Sequence, residues 1–276
     1  YTTKNLITSL GTENPQYCYI NRERNMEDYQ LLIDLHKNAT HQGPGGDAET
    51  ELALDLAMID QSAPLKLADI GCGTGASTLL LAQLLNKAHI TAVDFLPEFL
   101  DVLENKAENM GLSNRITTLS SSMDALPFAE EEFDLIWSEG AIYNMGFEKG
   151  VKDWHRFLKP GGVLVVSEIT WITDNRPKEI QSYWEKEYPE IDVASAKISI
   201  LEKHGYSPIG YFVLPEHCWL DNYYYPLQQS FKDFLDRNGN SNEARKIVDA
   251  EKQEIEMYEK YKAYYSYGVY IARKLG

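Results

Sequence analysis

The chain lacks most of the features that would take it out of water or staple it covalently. None of its 276 residues falls in an apolar run long enough to cross a bilayer, which takes about 20 residues, and this argues against a membrane span. Cysteine is scarce. Cys18, Cys72 and Cys218 are odd in number, widely spaced and without a CxxC or Cys/His ligand pattern, which argues against a disulfide framework and a zinc module. They read as reduced, buried thiols of a cytoplasmic protein. Positive charge is also short: 26 Lys and Arg face 42 Asp and Glu, and the net charge of -16 would repel a phosphate backbone. With no basic stripe interleaved with aromatics, nucleic acid is a poor partner, and the acidic surface serves solubility. There is no internal repeat or low-complexity tract. The first residues, "YTTKNLITSL", lack a basic segment followed by an apolar one. Because the chain begins without Met, a removed leader stays open.

What is present is a regular alternation. From Leu65 to Gly210, short β-rich runs alternate with helical patterns, which predicts parallel βαβ units in an open, doubly wound α/β sheet covered on both faces. The expected strands are Leu65 to Ile70, Ile90 to Val93, Ile116 to Leu119, Phe133 to Ser138 and Val163 to Ser167. "LPEFLDVLENKAENMG" has Pro97 near a first helical turn, apolar residues at helical spacing and Gly111 as its stop. "LKPGG" (Leu158 to Gly162) reads as a turn before an apolar strand, and "DVASAKISILEKHG" offers Asp192 as an N-cap and Gly205 as a stop. Two more strand-like runs, "PIGYFVLP" and "YGVYIARKL", are separated by about fifty mostly helical residues, far more than a hairpin needs. The expected organisation is a helical prelude over 1–60, broken at Gly43 to Gly46; an α/β domain over 61–216 and 266–276; and a helical insertion over 217–265.

The stretch "LADIGCGTGAST" brings three glycines to the end of the first strand, where a helix N-terminus leaves free amides for a polar or anionic group. Alone, the loop also fits the dinucleotide pattern G-x-G-x-x-[GA]. Its company narrows the reading. With Asp69 two residues before the first glycine, a third glycine at Gly75, "AVD" ending at Asp94, "SSMDALPF" after the third strand and "FDLIWSEGAIYN" at the fourth, the chain resembles the class I S-adenosylmethionine-dependent methyltransferases. Within them it is most similar to the small-molecule group of the ubiquinone- and menaquinone-biosynthesis enzymes. The resemblance covers Leu65 to Trp171 and the final strand. It implies a Rossmann-like, mostly parallel seven-stranded sheet whose last strand is antiparallel, S-adenosyl-L-methionine as cofactor, and in-line methyl transfer to a small-molecule acceptor. It also implies that Asp69, Gly71, Gly73 and Gly75 line the methionine moiety, that Asp94 takes the ribose hydroxyls, that Met123 and Asp124 meet the adenine, and that Glu139 reaches both cofactor and acceptor.

In a doubly wound sheet the ligand crevice lies at the carboxyl ends of the strands, which places Glu139, Tyr143, Asn144, Glu168 and Trp171 near an acceptor. The insertion, with the prelude around "HQGPGG", is expected to act as a lid that keeps water from the methyl group. His217 comes first as a possible general base, then Glu139 or Glu168 if burial raises a carboxylate pKa. Trp219 and Tyr223 to Tyr225 form either an aromatic wall for the acceptor or helix packing, and the same surface would serve a homodimer. No His, Asp or Glu group shows metal-ligand spacing, so no metal is expected. Two other functions stay open: an NAD-dependent oxidoreductase, which would share the glycine loop and Asp94, and a non-catalytic S-adenosylmethionine-binding protein.

Overall fold

Strands rich in Ile, Val and Leu, parted by amphipathic helices, assemble into one sheet. The computed structural model describes residues 26–276; Cys18 and the rest of 1–25 lie outside them. Two helices, α1 (Met26–His36) and α2 (Asp47–Leu56), precede β1 (Lys66–Ile70). There follow α3 (Ala76–Leu84), β2 (His89–Asp94), α4 (Pro97–Asn109), β3 (Ile116–Ser120), β4 (Phe133–Ser138), α5 (Phe147–Trp154) and β5 (Leu158–Trp171). The second half runs through α6 (Lys178–Glu187), β6 (Asp192–Val193), α7 (Ala194–Lys203), β7 (Tyr206–Val213), α8 (Glu216–Trp219), a π-helical turn (Leu220–Tyr224), α9 (Tyr225–Arg237), α10 (Asn242–Tyr261) and β8 (Tyr265–Lys274).

The strand order is β3-β2-β1-β4-β5-β8-β7, with the two-residue β6 paired to the end of β5. The pairs among β1 to β5 are parallel, and β8 runs antiparallel to both β5 and β7. This is the expected seven-strand path with its reversed last strand, plus one short addition. Chain order turns back between β1 and β4, so the ligand crevice of such a sheet falls beyond Ile70 and Ser138.

Alternation along the strands fills both faces. In β5, Val163 and Val165 join one apolar cluster while Leu164 and Val166 join the other. The first cluster takes Leu54, Leu81 and Leu103 with Phe231 and Tyr258 of the long helices near the C-terminus. The second takes Phe147, Val151 and Trp154 from α5 and Leu201 from α7.

Two local expectations change. "LKPGG" does not separate a helix from a strand: Phe133 pairs with Leu158 and Leu135 with Val163, so Lys159 to Gly162 form a bulge inside β5. Asp192 does not cap α7. It pairs with Thr170 in β6, and its carboxylate accepts the Val193 amide hydrogen. A short acidic side chain before a helical pattern serves either role, and the free edge at the end of β5 decides here.

Candidate active site

The glycine loop joins β1 to α3 and is pressed from three sides. Gly71 has φ +80°, and a Cβ there would stand 2.3 Å from that of Ala141 in the turn after β4. Gly75 has φ +87°, and its Cβ would stand 2.2 Å from Leu103 Cδ1 on α4. Above Gly73 lies the Gln42 side chain, whose Oε1 would be 2.5 Å from an added Cβ. The loop is therefore as much a packing junction as an open cradle: β4, α4 and the prelude all meet its main chain.

Two carboxylates flank it. Asp69, near the end of β1, is fully buried; its Oδ2 accepts from Ser77 Oγ at 3.0 Å and Thr78 Oγ1 at 2.5 Å, while Oδ1 has no partner. Burial, opposed by those two hydroxyls and reinforced by the charge of Asp94, pushes its pKa up to about 6. Asp94 ends β2. Its Oδ2 accepts from Gly73 N and its Oδ1 from Leu96 N, both at 2.9 Å, and burial raises its pKa as well. Each of these oxygens keeps a lone pair beyond the amide it already accepts. Met123 stands beside the loop, its Cε 3.7 Å from the position of a Gly71 Cβ, and Asp124 is exposed next to it.

Glu139 follows β4 at the switch point. Thr50 Oγ1 donates to its Oε1 at 2.8 Å and Trp137 Nε1 at 2.7 Å, and burial pushes its pKa up to about 7. It lines a narrow recess with room for about one water molecule, together with Gly45, Gly46, Glu49, Thr50 and Ser167. Tyr143 and Asn144 occupy the next turn, where Tyr143 meets Tyr188 edge to face and Asn144 Nδ2 donates to the Ala141 carbonyl.

Other anticipated residues sit elsewhere. Glu168 is sealed in an ion pair, 3.2 Å from Lys197 Nζ, with both side chains buried. Trp171 lies under the Arg176 guanidinium and against the edge of Tyr265. Trp219 stacks 4.3 Å from Tyr258 and 5.1 Å from Tyr267, and its Nε1 donates to Ser266 Oγ, so the aromatic residues of the insertion here make packing rather than a wall. His217 is exposed, with Nε2 3.2 Å from Glu49 Oε1. Its neighbour Cys218 is buried, and burial and Glu49 push the thiol up, which makes it a poor nucleophile.

Sequence reasoning expected the prelude around "HQGPGG" as part of a lid but missed the side chains by which it holds the glycine loop. Gln42 Oε1 accepts from Thr74 N at 2.9 Å while its Nε2 donates to the Ala39 and His36 carbonyls, tying residues 36–42 to the glycine loop. Asn222 Nδ2 donates to the Gly45 carbonyl at 2.7 Å, and Arg237 and Asn238 both bond Asp34, so the prelude is joined to the insertion as well. The available signal was "GPGG" itself: paired glycines allow close backbone approach as readily as a break.

A family model described as a methyltransferase domain matches residues 67–162. Over that span the chain carries a methyltransferase domain. A demethylmenaquinone methyltransferase of Thermus thermophilus is 36% identical to it over 118 residues, covering 42% of this chain and 52% of the relative. The chain thus spans about half the length of the curated relatives it matches. Among solved structures, an S-adenosyl-L-homocysteine complex of a methyltransferase from Geobacter sulfurreducens superposes with a TM-score of 0.77 at 15% identity, covering 89% of this chain and 98% of that one. The cyclase SpnF superposes at 0.70 with 22% identity, covering 91% and 94%. Such neighbours share the fold of this methyltransferase domain, and SpnF is a reminder that one fold serves more than one reaction.

Proposed function

We propose that the protein transfers a methyl group from S-adenosyl-L-methionine to a small-molecule acceptor by in-line displacement. The observation that carries this reading is the pairing of a buried Asp69, one oxygen unpartnered, with Asp94 at the end of the adjacent strand, on either side of the glycine loop. An orphaned, buried carboxylate oxygen suits an ammonium group, which would restore its charge by a charge-assisted hydrogen bond. In this reading Asp69, Gly71 and Gly73 hold the amino-acid end and Asp94 the ribose hydroxyls. Met123 and Asp124 meet the base, while Gly75 chiefly seats α3 against α4.

When bound, the sulfonium supplies its own leaving group. The chain's work is then to aim the acceptor and keep water away. Glu139 takes the place of general base ahead of His217, because it lines the recess and its raised pKa suits neutral pH. Tyr143 and Asn144 flank the acceptor; Trp171, Trp219 and Glu168, each committed to packing or an ion pair, are left out. The prelude around residues 41–46 and the insertion act together as the lid that shields the methyl group. The free, buried Cys72 and Cys218 support a reducing, cytoplasmic setting, and the acidic charge speaks against nucleic acid.

Calorimetry with S-adenosyl-L-homocysteine and with NAD tests the reading. Binding of the first and not the second, weakened by Asp69→Asn, is the expected result. Heat with NAD alone would replace the methyltransferase reading with an oxidoreductase. Binding without transfer of labelled methyl to a small-molecule extract would leave a binding protein.

A further inference from the structure

Three side chains of different metal-binding chemistry meet beside the recess although they come from opposite ends of the chain. His217 Nε2 lies 3.2 Å from Glu49 Oε1 and 3.7 Å from Cys218 Sγ, and the donor atoms of the three all fall within 4.8 Å of one another. A zinc ion bound tetrahedrally, with nitrogen and oxygen at about 2.1 Å and sulfur at about 2.3 Å, requires N–O and N–S edges of roughly 3.4 and 3.6 Å. The observed separations meet both to within a few tenths of an ångström.

One further observation points to an occupant: Glu49 Oε2 is buried with no partner. Gly46 beside it lets the group close up, since a Cβ there would stand 2.4 Å from Glu49 Oε2, 2.9 Å from Asn222 Nδ2 and 3.5 Å from Cys218 Sγ. The sequence hid this group because α8 supplies only two of its members, and α2 the third.

We infer that Glu49, His217 and Cys218 bind a divalent cation of the zinc class. Imidazole, thiolate and carboxylate together favour zinc or cobalt over the oxygen-seeking magnesium and calcium. Three protein ligands leave a fourth position, and Glu49 also lines the recess beside Glu139, which has room for about one water molecule, so a water is the natural fourth ligand. The site goes beyond the methyl-transfer reading and does not depend on it. If it is filled, His217 is a ligand and is lost to proton transfer.

The test uses the reduced full chain, without cofactor, titrated with Co²⁺. One ion per chain is expected, with the visible bands of tetrahedral cobalt, a sulfur-to-cobalt charge-transfer band in the near ultraviolet, and displacement by Zn²⁺. Cys218→Ser should abolish the charge-transfer band, whereas Cys72→Ser should keep it. His217→Ala, at an exposed position that does not threaten folding, should weaken Co²⁺ affinity about tenfold or more. A band that survives Cys218→Ser, an octahedral spectrum, or unchanged affinity in His217→Ala would overturn the site.

Discussion

The two sides of the crevice are built by different means. On the cofactor side, Asp69 and Asp94 are answered by groups close in sequence: the Ser77 and Thr78 hydroxyls for one, the Gly73 and Leu96 amides for the other. On the acceptor side, Glu139 is held by Thr50 of the prelude as well as by its neighbour Trp137, and Glu49 meets His217 and Cys218 of the insertion. A site made of neighbours can be formed as soon as a βαβ unit folds. One made of distant segments exists only when the prelude, the sheet and the insertion are docked together. The second kind is the one that can open and close, because its contacts cross between separate elements.

The sharpest way to separate the two sides is Glu139→Gln. The amide keeps the size of the side chain and loses the base, so turnover with any working acceptor should fall about a hundredfold or more. Affinity for S-adenosyl-L-homocysteine, measured by calorimetry, should stay near wild type. With the wild type, turnover should rise with pH and level off above about 7, where Glu139 is ionised; the variant should lack that step. Equal loss of binding and turnover would move Glu139 to the cofactor side.

That contrast also marks what could be read from the chain in advance. The strand series from Leu65 to Ser167, the glycine loop and Asp94 were legible because each rests on short-range patterning: period-two apolar runs, a strand-to-helix turn, and an acidic residue at the next strand end. The sheet's reversed final strand followed from the resemblance. Gln42, Thr50 and Glu49 were not legible, because nothing in "HQGPGGDAETEL" tells which distant strand it will lie against. Trp219 was ambiguous for a related reason: an aromatic cluster reads the same whether its rings face a ligand or, as with Tyr258 and Tyr267, one another.

Asp94→Asn probes the other side. The two backbone amides that Asp94 now receives would meet one carbonyl oxygen and one NH₂ group, leaving a donor facing a donor. An unsatisfied buried group costs about 1–3 kcal/mol, so denaturant unfolding should show a loss of that size. S-adenosyl-L-homocysteine should bind roughly ten- to a hundredfold more weakly in calorimetry, since the residue positions the loop and, in the proposed reading, takes the ribose hydroxyls. A change in stability with full affinity would make Asp94 a loop anchor alone.

A smaller effect concerns pH. Burial raises Asp69 from its ordinary value of 3.8 to about 6, so its contribution to stability is fully present below 3.8 and is lost as pH rises through about 6. Glu139, raised to about 7, acts in the same direction. The ligand-free protein should therefore melt a few degrees lower, roughly, at pH 7 than at pH 5, after screened surface ion pairs are offset by added salt. Asp69→Asn should flatten that slope, and S-adenosyl-L-homocysteine should do so too, because its ammonium keeps Asp69 ionised without penalty. The ligand's stabilising effect should accordingly grow as pH rises.

Gln42→Ala tests whether the prelude merely covers the glycine loop or helps to hold it. The substitution removes the acceptor of the Thr74 amide and both tethers to the Ala39 and His36 carbonyls, while Lys106 Nζ still donates to Thr74 Oγ1 at 3.0 Å and anchors the loop from α4. That anchor, with the Thr74 hydroxyl still donating to the Ala39 carbonyl, limits the damage to about 1 kcal/mol, or roughly 2–4 °C in melting temperature. If the prelude is only a cover, dissociation of S-adenosyl-L-homocysteine in a stopped-flow chase should quicken while its association rate holds. If Gln42 shapes the loop itself, association should slow as well, because the loop amides would no longer be preset for the ligand. The ratio of the two rate changes thus shows on which side of the crevice this residue belongs.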